Sequence, residues 1–230
     1  TAYEVSLGLV GSEMCIRDRP IQSTRGFRLR VHIITTGCSI NRALGEILKY
    51  MIDRLEGVDL GILDDADIVI LNLCAVKKPT EDKGIELARK ILRMGKRLII
   101  TGCIAESSYE RIQRQVPGAS IISMGYLMDN LDFLLKASNT TRVFKIGKRL
   151  DLHYPTGFIL ENPLIGTIPI AFGCTNNCSF CIDVRIWGSV RSIPPGDIVK
   201  QVQKLIRSGV KEIRLTAHDT AAYGIDIGYT

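Results

Sequence analysis

The sequence predicts an α/β protein: an open parallel sheet comes first, and a second set of βα units begins towards the carboxyl end. Three observations carry this. A strand, loop and helix pattern recurs between residues 29 and 135. The strand at Ala66–Asn72 holds a continuous apolar run, as in a parallel sheet covered on both faces. A cysteine stands at the carboxyl end of three successive strands, as Cys38, Cys74 and Cys103.

Composition bounds the function. With 230 residues, 46% of them hydrophobic, and a mean hydropathy of +0.14, the chain can bury a substantial core in one or two domains. No run of 18 apolar residues offers a membrane span, and no basic stretch leads into an apolar signal and cleavage site. The expected address is cytoplasmic, with no membrane partner. A net charge of +6 and a pI of about 9.0 favour polyanionic partners without naming one. Seven cysteines point to metal or redox chemistry rather than to a disulfide scaffold. Six form two triplets, and Cys15 is left over.

Taken in order, residues 1–24 carry no sustained period and no helix cap, and are set aside from the fold as an unstructured, non-native leader. They resemble translated linker sequence from assembled DNA; a native flexible arm is the alternative. Residues 29–36 are rich in branched side chains and read as a strand, with Gly37-Cys38-Ser39 as the turn leaving it. His32, inside this strand, reads as a packed histidine. From Arg42 to Leu55 the positions Leu44, Ile47, Leu48, Met51, Ile52 and Leu55 keep a helical period. The strand at 66–72 follows, then a helix over 80–94 with Pro79 near its start and Gly95 past its end. A third strand spans 96–101. A helix at 108–115, a short strand at 119–123 and a helical piece at 127–135 complete the set.

Residues 140–165 read as a join. A short edge strand at 143–146 precedes the punctuating Tyr154-Pro155-Thr156-Gly157 and Asn162-Pro163. Lys145, Lys148 and Arg149 face either nucleic-acid phosphates or solvent. A strand at 166–171 opens the second unit. Pro194-Pro195 starts a helix that runs to Ser208, with Ile198, Val199, Val202, Leu205 and Ile206 as its stripe, and Gly209 stops it. The next strand covers 211–216.

Chemistry concentrates in Cys174-Thr175-Asn176-Asn177-Cys178-Ser179-Phe180-Cys181, a C-x3-C-x2-C run. Three thiols at this spacing can hold three corners of a four-iron cluster and leave one iron open to a small molecule. A structural zinc would require a fourth protein ligand, for which only His218 follows, and a redox dithiol at Cys178 and Cys181 is the other reading. For Cys38, Cys74 and Cys103 the crevice beyond the strand ends is the usual ligand site of such sheets, against independent buried thiols.

The cysteine run, with an aromatic residue before its last Cys, resembles that of the radical S-adenosylmethionine enzymes. Flanked by Ile168-Pro169-Ile170 and by Leu215-Thr216-Ala217-His218-Asp219-Thr220-Ala221-Ala222-Tyr223-Gly224, it resembles more narrowly the methylthiotransferases. Gly37-Cys38-Ser39-Ile40-Asn41, Asn72-Leu73-Cys74-Ala75-Val76-Lys77-Lys78-Pro79-Thr80-Glu81-Asp82-Lys83 and Thr101-Gly102-Cys103 look like the three blocks of that family's amino-terminal domain. Leu73 stands where the family usually has Thr, Leu44-Gly45-Glu46 where Asp-Ser-Glu is common, and His218 where Gln is frequent. Near Trp187, which packs over the site or anchors its loop, relatives more often carry Ala-Arg-Gly.

The resemblance implies an α/β fold of two parts. An amino-terminal open parallel-sheet methylthiotransferase domain spans residues 25–145. A linker over 146–165 leads to a truncated radical S-adenosylmethionine domain at 166–230, the start of a partial (βα) barrel. It implies two 4Fe-4S clusters as cofactors, with Cys38, Cys74 and Cys103 as metal ligands of the auxiliary one and Cys174, Cys178 and Cys181 as catalytic ligands of the other. The second cluster binds and cleaves S-adenosyl-L-methionine with an electron from an external one-electron reductant, while the auxiliary one carries methylthio to the substrate. Glu212 and Asp219 are expected at the cofactor; a solvated face and a turn cap are their plainer roles. Asn41 and Asn72 would orient the auxiliary loops, also an ordinary loop role.

The implied activity is a tRNA methylthiotransferase acting on N6-threonylcarbamoyladenosine 37 of the anticodon loop. Alternatives are the isopentenyladenosine branch, the branch that modifies an aspartate of a ribosomal protein, and a non-catalytic iron-sulfur or nucleic-acid-binding protein. The chain is expected to be an amino-terminal piece, inactive by itself.

Overall fold

A computed structural model describes residues 28–137, 142–145 and 157–229. The 1–24 leader with Cys15, together with Lys148, Arg149, Tyr154, Pro155 and Thr156 of the join, lies outside the described residues. The first part runs β1 (Leu29–Thr35), α1 (Ser39–Ile52), β2 (Val58–Leu60), β3 (Ile68–Cys74), α2 (Lys78–Arg93) and β4 (Arg97–Cys103). It continues with α3 (Glu106–Gln115), β5 (Ser120–Ile122), α4 (Met124–Asp129), α5 (Leu131–Lys136) and β6 (Phe144–Lys145). Among the described residues these strands form one sheet in the order β2-β1-β3-β4-β5-β6, parallel throughout.

The strand order fixes where a ligand can sit. From β1 the chain first moves outward to β2, then returns to place β3 on the other side of β1. Loops leaving β1 and β3 therefore diverge to opposite faces and open a crevice at their carboxyl ends, the switch point where such sheets bind ligands. Both faces are covered. Ile33, Ile70 and Ile99 pack with Leu44, Ile47 and Leu48 of α1 and with Leu127 of α4. On the other face Val69, Leu71, Leu98 and Ile100 meet Ile85 and Ile91 of α2 and Ile112 of α3.

The two central strands are longer than expected at their carboxyl ends. β3 and β4 continue in register through Leu73↔Gly102 to Cys74↔Cys103. These two thiols stand on strand ends rather than in the loops beyond. Helix α1 begins three residues earlier than its apolar period shows. Cys38 is its extended N-cap, whose carbonyl accepts from Arg42, and Asn41 is turned inward. The piece expected at 127–135 is two helices, because Asn130 adopts φ −121°, ψ 23° and donates its amide to the Tyr126 carbonyl. The sequence reading missed β2, three residues long.

The second part contains β7 (Ile165–Pro169), β8 (Ala171–Phe172), α6 (Asp183–Trp187), β9 (Arg191–Ser192), α7 (Pro195–Arg207) and β10 (Glu212–Thr216). β7 and β10 pair in parallel, with α7 between them in sequence, while β8 and β9 pair antiparallel. The single strand expected at 166–171 is split at Ile170. Its N–H donates to Thr216 and its carbonyl accepts from Ile193, so the chain exchanges β10 for β9 as its partner there. No closed or partly closed barrel is seen among the described residues.

Helix α1 joins the two parts. Its inner face packs on the large sheet and it also meets β7, within one apolar cluster that extends to Ile168, Phe172 and Trp187. Backbone bonds add to this: Ile159 donates to the Glu46 carbonyl at 3.1 Å and Glu161 to Glu46 Oε1 at 3.0 Å, while Lys49 pairs with Glu161 at 3.0 Å. Among the described residues no helix is long and apolar enough to cross a membrane.

Candidate metal centre

The first thiol set lies at the switch point. Cys38 caps α1 just after β1, and Cys74 and Cys103 end β3 and β4 as register partners. Gly37, at φ +103°, brings the Cys38 turn over Cys74, and a Cβ there would stand 2.3 Å from Cys74 Cβ. Hydrogen bonding from the Cys103 thiol most favours the Cys74 thiolate, and the backbone at Val76 and Cys38 adds to it against the opposing effect of burial, so that Cys74 is held down to about 6. Cys103, giving that bond and fully buried, is pushed well above the usual thiol range. Cys103 Sγ also lies 3.5 Å from Asn41 Oδ1, but its single proton goes to the charged sulfur when Cys74 is ionised.

Below the thiols is a polar tier. Along each strand alternate residues share a face. On the α1 side the register rows run Ile33/Ile70/Ile99, then Thr35/Asn72/Thr101, then Gly37 with Cys74/Cys103. Asn72 and Thr101 are fully buried. Asn41 reaches in from α1 and donates to the Thr36 and Asn72 carbonyls, while Asn72 donates back to the Asn41 carbonyl. Thr36 Oγ1 receives the Cys74 N–H at 3.2 Å.

The second set sits on the loop after β8. Gly173, at φ +84°, has its would-be Cβ 2.2 Å from the Ser189 carbonyl, and its N–H donates to His218 Nδ1 at 3.2 Å. Cys174 N–H donates to Gly188 O at 3.1 Å. Asp219 Oδ2 accepts from Cys174 Sγ at 3.6 Å and from Asn176 Nδ2 at 3.1 Å, while Oδ1 accepts the Ala221 N–H. Cys178 is exposed and Cys181 half-buried. Residues 177–182, with Val184 and Arg185, line a groove of about 450 Å³.

Behind this loop Trp187 stacks on Phe172 at 5.4 Å and lies 5.0 Å from the His218 ring. Trp187 thus anchors the loop from below. Burial lowers the His218 pKa, which favours the neutral ring whose Nδ1 can accept the Gly173 proton.

Asp183, two residues past Cys181, acts electrostatically on Cys74 and Cys103. The end of the second loop therefore lies within charge reach of the first set. Asp219 stands against Cys174, but Glu212 does not come to the loop. It lies at the amino end of β10, paired with Arg214, a strand length from Thr216. Sequence reading missed Asp183, Asn176, Thr35, Thr36 and Thr101. Only the placing of Asn72 and Thr101 two residues ahead of Cys74 and Cys103, with Thr35 three ahead of Cys38, could have signalled the tier. Among the described residues no three Cys, His, Asp or Glu groups converge to hold a single metal ion.

The region that builds the first thiol set also carries the likeness to known proteins. Residues 30–123 match the model of Uncharacterized protein family UPF0004. A probable threonylcarbamoyladenosine tRNA methylthiotransferase of Methanothermobacter thermautotrophicus is 37% identical over 87% of this chain and 47% of the relative. A tRNA-2-methylthio-N(6)-dimethylallyladenosine synthase of Fervidobacterium nodosum is 32% identical over 86% and 46%. A ribosomal protein uS12 methylthiotransferase of Clostridioides difficile is 28% identical over 86% and 47%. The chain thus has family-level homology to the amino-terminal regions of methylthiotransferases, and it spans about half the length of these curated relatives.

Proposed function

We propose that this chain is the amino-terminal half of a cytoplasmic tRNA methylthiotransferase that converts N6-threonylcarbamoyladenosine 37 to its 2-methylthio derivative. Residues 25–145 form the methylthiotransferase domain, 146–165 the linker, and 166–230 the opening of a radical S-adenosylmethionine (βα) barrel. One observation carries the reading: one all-thiol set stands at the carboxyl ends of the parallel strands β1, β3 and β4, the other lies on the loop after β8, just past the parallel strand β7, and α1 packs against both parts. The substrate branch rests on the relatives' names, several of which specify threonylcarbamoyladenosine.

The residues fit iron-sulfur clusters by donor chemistry. Thiolates are the ligands such clusters use, and three leave one iron open. Cys74 has its pKa lowered to about 6, towards the thiolate form that ligates iron. A cluster has corners of its own, so its ligands need not converge as they do on one ion. Cys38, Cys74 and Cys103 would hold one cluster, and Cys174, Cys178 and Cys181 the other. When bound, such clusters supply one-electron chemistry and an open iron for S-adenosyl-L-methionine. Asp219 and Asn176 brace the Cys174 turn, while Trp187 and Phe172 keep water from its underside.

Anaerobic reconstitution tests the site. About eight irons per chain support both clusters, and a Cys38→Ala chain should fall to about four. No iron in either would sink the proposal. For the substrate, a host given the full-length gene should gain 2-methylthio-N6-threonylcarbamoyladenosine in digested tRNA. Unchanged tRNA with a mass-shifted ribosomal protein would transfer the activity to that substrate.

A further inference from the structure

Asn41 and Asn72 make one unit out of three chain segments. Asn41 lies three residues past Cys38, and Asn72 two residues before Cys74. The Asn41 amide nitrogen donates to the Thr36 carbonyl at 2.6 Å and to the Asn72 carbonyl at 3.1 Å, and Asn72 returns a bond of 2.7 Å to the Asn41 carbonyl. With its nitrogen fixed by two carbonyls, Asn41 turns Oδ1 towards Cys103 Sγ. Asn72 Oδ1 is buried beside Gly102, where a Cβ would stand 2.7 Å from it, and it has no hydrogen-bond partner among the described residues. Both side chains are wholly buried. An ordinary loop asparagine is exposed and caps its own turn; these two bond between α1 and β3 and touch β4.

We propose that the Asn41–Asn72 pair is the positioning brace of the Cys38/Cys74/Cys103 site, setting the three thiols in place before a cluster is bound. The inference rests on the reading of that site as a cluster site. Neither asparagine is a metal ligand. Their work is to stop the Cys38 turn sliding against the two strand ends, and two of the three bonds that do so are buried.

The test uses the whole chain with Asn41→Ala and Asn72→Ala, plus Asn41→Ser and Asn72→Ser should the alanine chains fail to fold by circular dichroism. In metal-free protein, amide hydrogen exchange at Thr36–Ser39 and Cys74–Ala75 should quicken by about tenfold, the equivalent of one or two hydrogen bonds. Exchange in α2 and α3 should not change. After reconstitution the variants should lose the iron of the first site, or show an altered electron paramagnetic resonance signature for it, and keep the iron of the second. Unchanged local exchange with an unchanged signature would overturn the brace. A parent chain that takes up no iron would instead overturn the cluster reading and leave the brace to be judged on exchange alone.

Discussion

The hydroxyl oxygens of Ser39 and Thr216 stand 2.8 Å apart, joining residues 177 positions distant in the chain. Ser39 follows Cys38 at the start of α1, and Thr216 ends β10 three residues before Asp219. The bond fastens the edges that carry the two thiol sets. Ser39→Ala and Thr216→Val should each lower unfolding free energy by about 1 kcal/mol, and the double variant should lose less than the sum. Urea denaturation of the four proteins measures this, and strictly additive losses would show that the hydroxyls do not interact.

Glu46 gives a pH signature. Burial is the main cause that raises its pKa from 4.5 to about 7; Glu161 adds to the rise, and Lys49, Arg42 and the Glu161 N–H oppose it. Between those values the folded chain keeps a proton that the unfolded chain releases. Its contribution to stability therefore falls as pH rises from 4.5 to about 7 and stays low above that. Glu46→Gln keeps an acceptor for Glu161 and removes the titration. It should match the parent near pH 4 and exceed it at pH 8 by up to about 3 kcal/mol. Thermal melts across this range decide, and a flat difference counts against the assignment.

His218 should act through one nitrogen. His218→Asn can offer an oxygen near the place of Nδ1, whereas His218→Leu cannot. The leucine chain should lose about 1 kcal/mol and exchange the Gly173 amide faster, and the asparagine chain should recover most of both. Equal behaviour would assign the role to ring packing on Trp187 alone.

Gly173→Ala meets two obstacles, a positive φ and the Ser189 carbonyl. The backbone angle alone should cost about 1 to 2 kcal/mol. In reconstituted protein the iron assigned to Cys174, Cys178 and Cys181 should fall while that of the first set stays. Full iron retention would mean that the loop tolerates a shifted start.

The sheet was legible because Ile68–Leu71 and Leu98–Ile100 are apolar on both faces, which allows few other readings. The ends of β3 and β4 were not. Leu73-Cys74 and Gly102-Cys103 read as the chain beyond the strands, but the ladder between the two strands carries them on, and the Asn72 amide nitrogen finds the Asn41 carbonyl on a helix 31 residues away. The cysteines were visible as types and spacings. What holds them was hidden, because Asp183, Thr36 and Ser39 acquire their neighbours only through folding, with no local pattern to announce it. Glu212 shows the reverse: its place at a strand start was read correctly, but β10 directs that end away from the thiols.

The shared rung of Cys74 and Cys103 constrains how the gene can change length. Alternate residues of a strand face opposite sides, so one codon gained or lost inside β3 or β4 would turn one of these sulfurs toward α2 and α3 while the other stayed with α1. Length variation among homologous genes should accumulate in the segment between α1 and β3 or after α3, and be absent from 68–74 and 97–103.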